Sequence, residues 1–298
     1  MAMTAAITVL AALSCSFWAV SAQQCDIYNG SWVRDDSYPL YDSASCPFIR
    51  REFDCQRYGR PDHDYLKFRW QPADCDLPKS AITISKSLSL ILSANKRKKV
   101  MLVGDSLTLN QYISLLCMVH AAVPNAVYNY TRGSDGTYTA TFQYVDANRW
   151  DYIQDGQQIV KDMDRDEAFS HAMQTWANWV DSAVDPATKR LFFTGLSPSH
   201  YNGSEWGEPG RTCAGQTEPT SPSNFTGGSI PQQVIVNELL KVKAKQVKLL
   251  DISYLSQLRK DAHSSKYNGA NFSNDCSHWC VAGLPDTWNQ LFYAALIA

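Results

Sequence analysis

At 298 residues with 45% hydrophobic content, the chain is long enough to bury one full-sized α/β core or two small ones, and one main domain is the simpler organisation. Its 27 Lys and Arg nearly balance 29 Asp and Glu, which excludes the strong single-sign field of a nucleic-acid or anionic-membrane binder. A near-neutral ligand fits best.

The first stretch, MAMTAAITVLAALSCSFWAVSAQQC, carries no charge before Asp26, and Val20 and Ala22 are the small residues expected before a cut after Ala22. Residues 1–22 read as a secretory signal or, since the apolar run approaches the ~20 residues that span a bilayer, as an uncleaved signal anchor. Cleavage would remove Cys15 and leave eight cysteines at 25, 46, 55, 75, 117, 213, 276 and 280. In an oxidising compartment an even set predicts disulfides, though spacing alone does not choose among the pairings. Sequons at Asn29, Asn129, Asn202, Asn224 and Asn271 agree with passage through the secretory pathway.

Residues 23–79 hold four of those cysteines, are rich in Tyr, Trp, Asp and Arg, and show no sustained periodicity, so they predict a disulfide-stapled, loop-rich module. From residue 80 the pattern changes, and residues 80–298 predict the main domain. ISKSLSLILSA has helical spacing, NKRKK reads as a solvated helix end or turn, and VMLV at 100–103 predicts a short buried strand. Gly104-Asp105-Ser106 makes a tight turn into LTLNQYISLLCMVHAA, whose apolar residues recur at helical spacing. TYTATFQYV alternates as a strand, DEAFSHAMQTWANWVDSAV as an amphipathic helix, and RLFFTGL and VKLLDIS read as buried parallel strands. GQTEPTSPSNFTGGSIP is a turn-rich surface loop, and DTWNQLFYAALIA predicts a closing helix capped near Asp286. These elements predict a doubly wound parallel sheet with helices on both faces and a site at the carboxyl ends of its strands. Between Phe142 and Leu191 no buried strand is legible, which leaves the sheet about one strand short of the usual count.

Ser106 falls at such a strand end, at the start of a helix. A serine hydroxyl needs a base to take its proton and a carboxylate to hold the base's tautomer, and the helix N-terminus offers N–H groups to an oxyanion. Of the six histidines, His63 reads as a surface residue, and His120 and His171 as helix residues. His200, in LSPSHYNG after a buried strand, has a place from which to line the site, and His263, in RKDAHSS, follows the last strand at a sheet-edge position. His278 is the best candidate, because Asp275 lies three residues before it and the cysteines at 276 and 280 would clamp the loop that carries both. A zinc knuckle made from Cys276, His278 and Cys280 lacks a second closely spaced Cys/His pair.

With Gly104-Asp105-Ser106 and Asp275-x-x-His278 placed, the chain resembles the plant trichome birefringence-like family of the PC-esterase group, within the SGNH/GDSL hydrolase superfold, and it looks closest to the powdery-mildew-resistant branch. CDIYNGSWVRDDSYPLYDSASCPFIRREFDCQRYGRPDHDYLKFRWQP is similar to the family's N-terminal module and VGDSLTLNQYISLLCM to its nucleophile block. WDYIQDGQQIVKDMDRDEAF, FFTGLSPSHYNGSEWGEP, LLDISYLSQLRKDAHSS and DCSHWCVAGLPDTWN follow in family order. The resemblance implies a flavodoxin-like SGNH fold and a triad of Ser106, His278 and Asp275. It also implies pairing of Cys25 with Cys75, Cys46 with Cys117, Cys55 with Cys280, and Cys213 with Cys276. The implied activity is transfer of acetyl groups from acetyl-CoA or an acetylated carrier onto hydroxyls of a cell-wall polysaccharide, pectin or xylan in type. The implied place is the Golgi or a neighbouring secretory compartment, with no bound cofactor or metal and no nucleic acid.

One departure stands out. Family members continue after a TYTATFQYV-like strand through further strands and a block with Asn followed by His-Trp-Trp, whereas here Val145 to Arg149 run almost straight into Trp150. The chain therefore reads as a shortened form with an internal deletion near 145–150, short of a sheet strand and of oxyanion donors. Two other readings share the chemistry or replace it: an esterase that gives the acyl group to water, and a non-catalytic glycan-binding protein whose N-terminal aromatics and Trp206 stack on sugar rings.

Overall fold

A computed structural model of the chain describes residues 25–77, 100–122, 153–155, 157–269 and 274–297. The leader, the 84–94 helix, the TYTATFQYV strand, the 145–150 junction and the sequons at Asn129 and Asn271 lie outside the described residues. Among the described residues no helix is long and apolar enough to cross a membrane.

The N-terminal module is built on an antiparallel pair that the sequence did not announce, β1 (Gly30–Arg34) with β2 (Phe68–Pro72). The register sets Trp32 opposite Trp70. Their rings meet edge-on at 5.6 Å, a cross-strand aromatic pair of the kind that holds isolated ribbons together. Tyr38, Tyr41, Phe48, Phe53 and Tyr65 are buried with Trp70, whereas Tyr58 is exposed.

Helix α1 (Ser106–Ala122) starts where expected, because Asp105 caps it: its Oδ1 accepts from the N–H of Leu107 at 2.9 Å and of Thr108 at 3.4 Å. Leu109, Tyr112, Ile113 and Cys117 form its buried stripe. Residues 153–155 and 158–160 make a short antiparallel hairpin, β3 and β4, whose Ile159 is exposed. Helix α2 (Arg165–Ala183) is capped by Asp164, which accepts from Asp166 and Glu167. It packs Met173, Ala177 and Val180 against Val236 and Leu239 of helix α3 (Pro231–Val242), which has Pro at its first position. Beside these helices lie β5 (Leu191–Thr194) and β6 (Val247–Leu250), paired in parallel with Leu191 opposite Val247. Then follow the short helix α4 (Ser253–Gln257), strands β7 (His263–Ser265) and β8 (Asp275–Trp279), antiparallel to each other, and helix α5 (Leu284–Ile297). Asp286 acts at the start of α5, where its Oδ2 accepts from the Gly283 N–H at 2.9 Å.

The fold is therefore α/β with parallel strands, and RLFFTGL, VKLLDIS and helices α2 and α5 are as the sequence predicts, whereas α3 has no counterpart in the sequence reading. Two expectations fail. VMLV at 100–103 is not a strand, and Met101 and Val103 are largely exposed. A buried strand needs hydrogen-bonding neighbours, and no described residue pairs with 100–103. His263 does not follow the last strand. It lies within β7, buried against β8.

The four disulfides have the pairings that the family resemblance implies: 25 with 75, 46 with 117, 55 with 280, and 213 with 276. Cys276 and Cys280 have separate sulfur partners, so both are unavailable to a zinc knuckle. The 46–117 and 55–280 bridges tie the module to α1 and to the end of β8, and all three contribute to one apolar core.

Candidate active site

Two sequence-distant pieces converge at Ser106. Gly104 permits the turn, since a Cβ there would lie 2.0 Å from Thr108 Oγ1. Ser106 then opens α1 with its hydroxyl at the mouth of the helix. Strand β8 brings His278 Nε2 to 2.7 Å from Ser106 Oγ, and His278 Nδ1 to 2.8 Å from Asp275 Oδ2. All three predicted residues thus meet in one hydrogen-bonded line, serine to imidazole to carboxylate.

Asp275 is held by more than the imidazole. Its Oδ1 accepts from the N–H groups of Ser277 and His278, each at 3.0 Å, and from Ser277 Oγ at 2.9 Å. Burial raises the carboxyl pKa, but these hydrogen bonds and the adjacent His278 outweigh burial and hold it well below the ordinary carboxylate range. An ionised Asp275 fixes His278 with its proton on Nδ1 and leaves Nε2 free to accept from Ser106.

The line is braced from four sides. The Cys213–Cys276 bridge anchors β8 just after Asp275, and the Cys276 N–H donates to Tyr201 Oη at 3.1 Å. Cys55–Cys280 fixes the far end of β8, and the Phe53 ring packs 5.8 Å from the His278 ring. Asn110, one turn into α1 from Ser106, is fully buried. Its Nδ2 donates to the Trp279 carbonyl at 3.1 Å, and its Oδ1 accepts from the Trp279 N–H at 2.8 Å. That pair locks the helix that Ser106 opens to the strand that carries His278. Sequence reasoning passed over Asn110, although a polar amide on the apolar face of the helix that Ser106 opens was the available signal.

The oxyanion site differs from expectation. Because Asp105 takes the N–H groups of Leu107 and Thr108, the helix N-terminus does not offer them to substrate. No described contact engages the N–H of Ser106 itself.

The remaining histidines sort clearly. His63 and His171 are exposed, and His120 rests edge-on against Phe48. His200 does not line an open site: it is fully buried, with Nδ1 2.6 Å from His263 Nε2. Trp206 is buried too, packed 5.5 Å from His200, so it offers no face to a sugar, and neither do the buried aromatics of the module. Among the described residues no group of His, Cys, Asp and Glu is arranged to hold a metal ion.

An α/β fold whose helix-opening serine meets an Asp-x-x-His pair is the arrangement of an SGNH-type acyl-transfer site. Residues 88–148 and 141–295 match the PC-esterase family, described as a GDSL/SGNH-like acyl-esterase family found in Pmr5 and Cas1p, and residues 23–76 match the PMR5 N-terminal domain. Among similar proteins of Arabidopsis thaliana, trichome birefringence-like 38 is 42% identical over 92% of this chain and 84% of its own length. Trichome birefringence-like 41 is 43% identical over 93% and 92%, and trichome birefringence-like 39 is 40% identical over 94% and 89%. The chain belongs to the PC-esterase family and, within it, to the trichome birefringence-like proteins. The alignment with trichome birefringence-like 38 runs over 329 positions although it covers 92% of a 298-residue chain. The relative therefore has several dozen positions with no counterpart here, and the PC-esterase match is likewise broken into two pieces that meet at 141–148.

Proposed function

We propose that the chain is an O-acetyltransferase that moves acetyl groups onto hydroxyls of a cell-wall polysaccharide, pectin or xylan in type, through an acyl-serine at Ser106. The observation that carries this reading is the line of hydrogen bonds from Ser106 Oγ through His278 to Asp275. Membership of an acyl-esterase family supports it.

His278 Nε2 takes the Ser106 proton as Oγ attacks the acetyl carbonyl carbon of acetyl-CoA or an acetylated carrier. The tetrahedral intermediate collapses as His278 returns that proton to the departing donor group. A sugar hydroxyl then gives its proton to His278 and attacks the acyl-enzyme; the new ester leaves, and Ser106 recovers its proton. Asp275 stays ionised throughout and stabilises the imidazolium formed in each half-reaction. The donor and the polysaccharide are the partners of this reading, which needs no cofactor, metal or nucleic acid. The four disulfides favour a secretory compartment such as the Golgi, because they persist in oxidising surroundings.

We also propose that the chain is a shortened form. The break in the family match at 141–148, close to where sequence reading finds a strand and further oxyanion donors missing, supports this reading. Losing one such donor costs ~10²–10³ in rate, so this form is expected to be slow in proportion.

Intact-mass labelling with a fluorophosphonate or an activated acetyl ester tests the reading, with Ser106→Ala beside the wild type. One adduct on wild type and none on the variant is the expected result. Labelling of neither, with both proteins folded by circular dichroism, removes the acyl-enzyme. If wild type labels but releases acetate to water at the same rate with and without polysaccharide, the chain is an esterase.

A further inference from the structure

Behind the active site two buried histidines, His200 and His263, join end to end between two backbone carbonyls. His200 Nε2 lies 2.8 Å from the Gln257 carbonyl, His200 Nδ1 lies 2.6 Å from His263 Nε2, and His263 Nδ1 lies 2.9 Å from the carbonyl of His278. The His263 ring stacks on Trp279 at 3.7 Å between centroids, so its plane is fixed.

The proton count of this line does not close with two neutral rings. A carbonyl oxygen has no proton to give, so each carbonyl contact needs an N–H on the imidazole that faces it. Two neutral imidazoles have two N–H groups, and both are then spent. The nitrogens that face each other at 2.6 Å would be two lone pairs, an arrangement that repels. A third proton turns that contact into an N–H···N hydrogen bond and gives the pair a single positive charge.

We infer that His200 and His263 share one proton and act as positioning residues, holding the catalytic imidazole in place through the hydrogen bond from His263 Nδ1 to the His278 backbone carbonyl. The catalytic half of this inference rests on the acyl-serine reading of Ser106; the shared proton does not.

The surroundings divide. Burial pulls His200 down to about 4 and His263 well below its ordinary value, and the charges of Lys260 on His200, and of His200 and then His278 on His263, act in the same direction. Asp261 and the Gln257 carbonyl favour the proton on His200, as Asp275 and the His278 carbonyl do on His263. Among the other charged groups, Arg60 Nη1 donates to the His263 carbonyl at 3.1 Å, Arg259 pairs with Asp261, and Glu208 pairs with Lys260. Trp206 and Trp279 wall the rings. Spreading one charge over two rings lowers the burial penalty on each, and the shared proton is released before that of a free imidazole as pH rises. Without it, one of the three contacts must open.

Two measurements test this on the full-length chain. Long-range proton–nitrogen correlation of histidine-labelled protein counts the protonated ring nitrogens of His200 and His263, with His200→Asn used for assignment. Three of four, with a strongly downfield proton between the rings that titrates as one, is expected; two of four at every pH at which the fold persists overturns the shared proton. The positioning role is read by comparing His263→Asn with His263→Gln. The Asn amide occupies the Nδ1 place and keeps the donor to the His278 carbonyl, whereas the Gln amide occupies the Nε2 place and loses it. Fluorophosphonate labelling is expected to slow about tenfold to a hundredfold more in the Gln variant, the scale of a misplaced catalytic group. Equal labelling rates overturn positioning. If wild type does not label at all, the acyl-serine reading fails, and the His278 Nδ1–H resonance decides the positioning question: a resonance unmoved by His263→Gln overturns it.

Discussion

Asp275 and Asp286 show how the same side chain takes opposite states in one molecule. Asp275 is held ionised by three N–H or O–H donors and an imidazole, whereas Asp286 is buried among neutral donors, Tyr41 and Ser114, with the Gly283 N–H on its other oxygen. Removing the ionised partner of the imidazole leaves His278 in the wrong tautomer. Asp275→Asn is therefore expected to slow serine labelling by roughly 10⁴-fold while the fold, read by circular dichroism, stays intact. Burial pushes Asp286 up to about 6, and a raised carboxyl gives the linkage a definite sign. Its contribution to stability is complete below the ordinary carboxyl pKa of 3.8 and is lost as pH rises through about 6. The loss is on the order of 3 kcal/mol. Comparing thermal midpoints of wild type and Asp286→Asn between pH 4 and 7 isolates it, because other carboxylates act equally in both proteins. A difference that does not change across that window would show Asp286 to be ionised throughout.

Between elements, the contact that matters most for chemistry is the amide clasp of Asn110 on Trp279. It joins α1, four residues on from Ser106, to β8, one residue on from His278, through two directed hydrogen bonds 2.8 and 3.1 Å long. Asn110→Leu keeps the volume and strips both bonds, which leaves the Trp279 N–H and carbonyl buried without partners. A loss of about 2–4 kcal/mol in denaturant unfolding is expected, together with slower labelling of Ser106. Unchanged labelling in a destabilised variant would show that the clasp serves the fold alone. The helix and strand periodicities were legible in this part of the chain, and so was the Gly-Asp-Ser turn, because each depends on residues within a few positions. The clasp was not, since Asn110 and Trp279 lie 169 residues apart and only folding brings them together.

For the molecule as a whole, the N-terminal module and the acyl-transfer fold share one apolar core, and the module supplies Phe53 and Cys55 to the strand that carries His278. Just before Ser106, Met101 and Val103 are exposed, and the strand predicted from sequence finds no described partner there. If the shortened junction is the cause, grafting the corresponding block of an Arabidopsis relative at 145–150 is expected to raise the labelling rate by ~10²–10³ through the restored oxyanion donor. A rate that stays the same would show that the missing positions do not serve the site.

The sequence by itself determined helices α1, α2 and α5, the parallel strands β5 and β6, and the candidate nucleophile, base and carboxylate, because turn chemistry, periodicity and the Asp-x-x-His spacing are local. Family resemblance supplied the cysteine pairing, which spacing alone leaves open. Only the tertiary structure decided that Asp105 closes the helix N-terminus to substrate, that Trp206 is walled in rather than open to a sugar, and that VMLV is exposed. It alone set two histidines read as site or edge residues into a single buried line behind the third. Hydrogen-bond partners and burial are properties of what surrounds a residue, and in this chain the surroundings come from segments tens to hundreds of residues away.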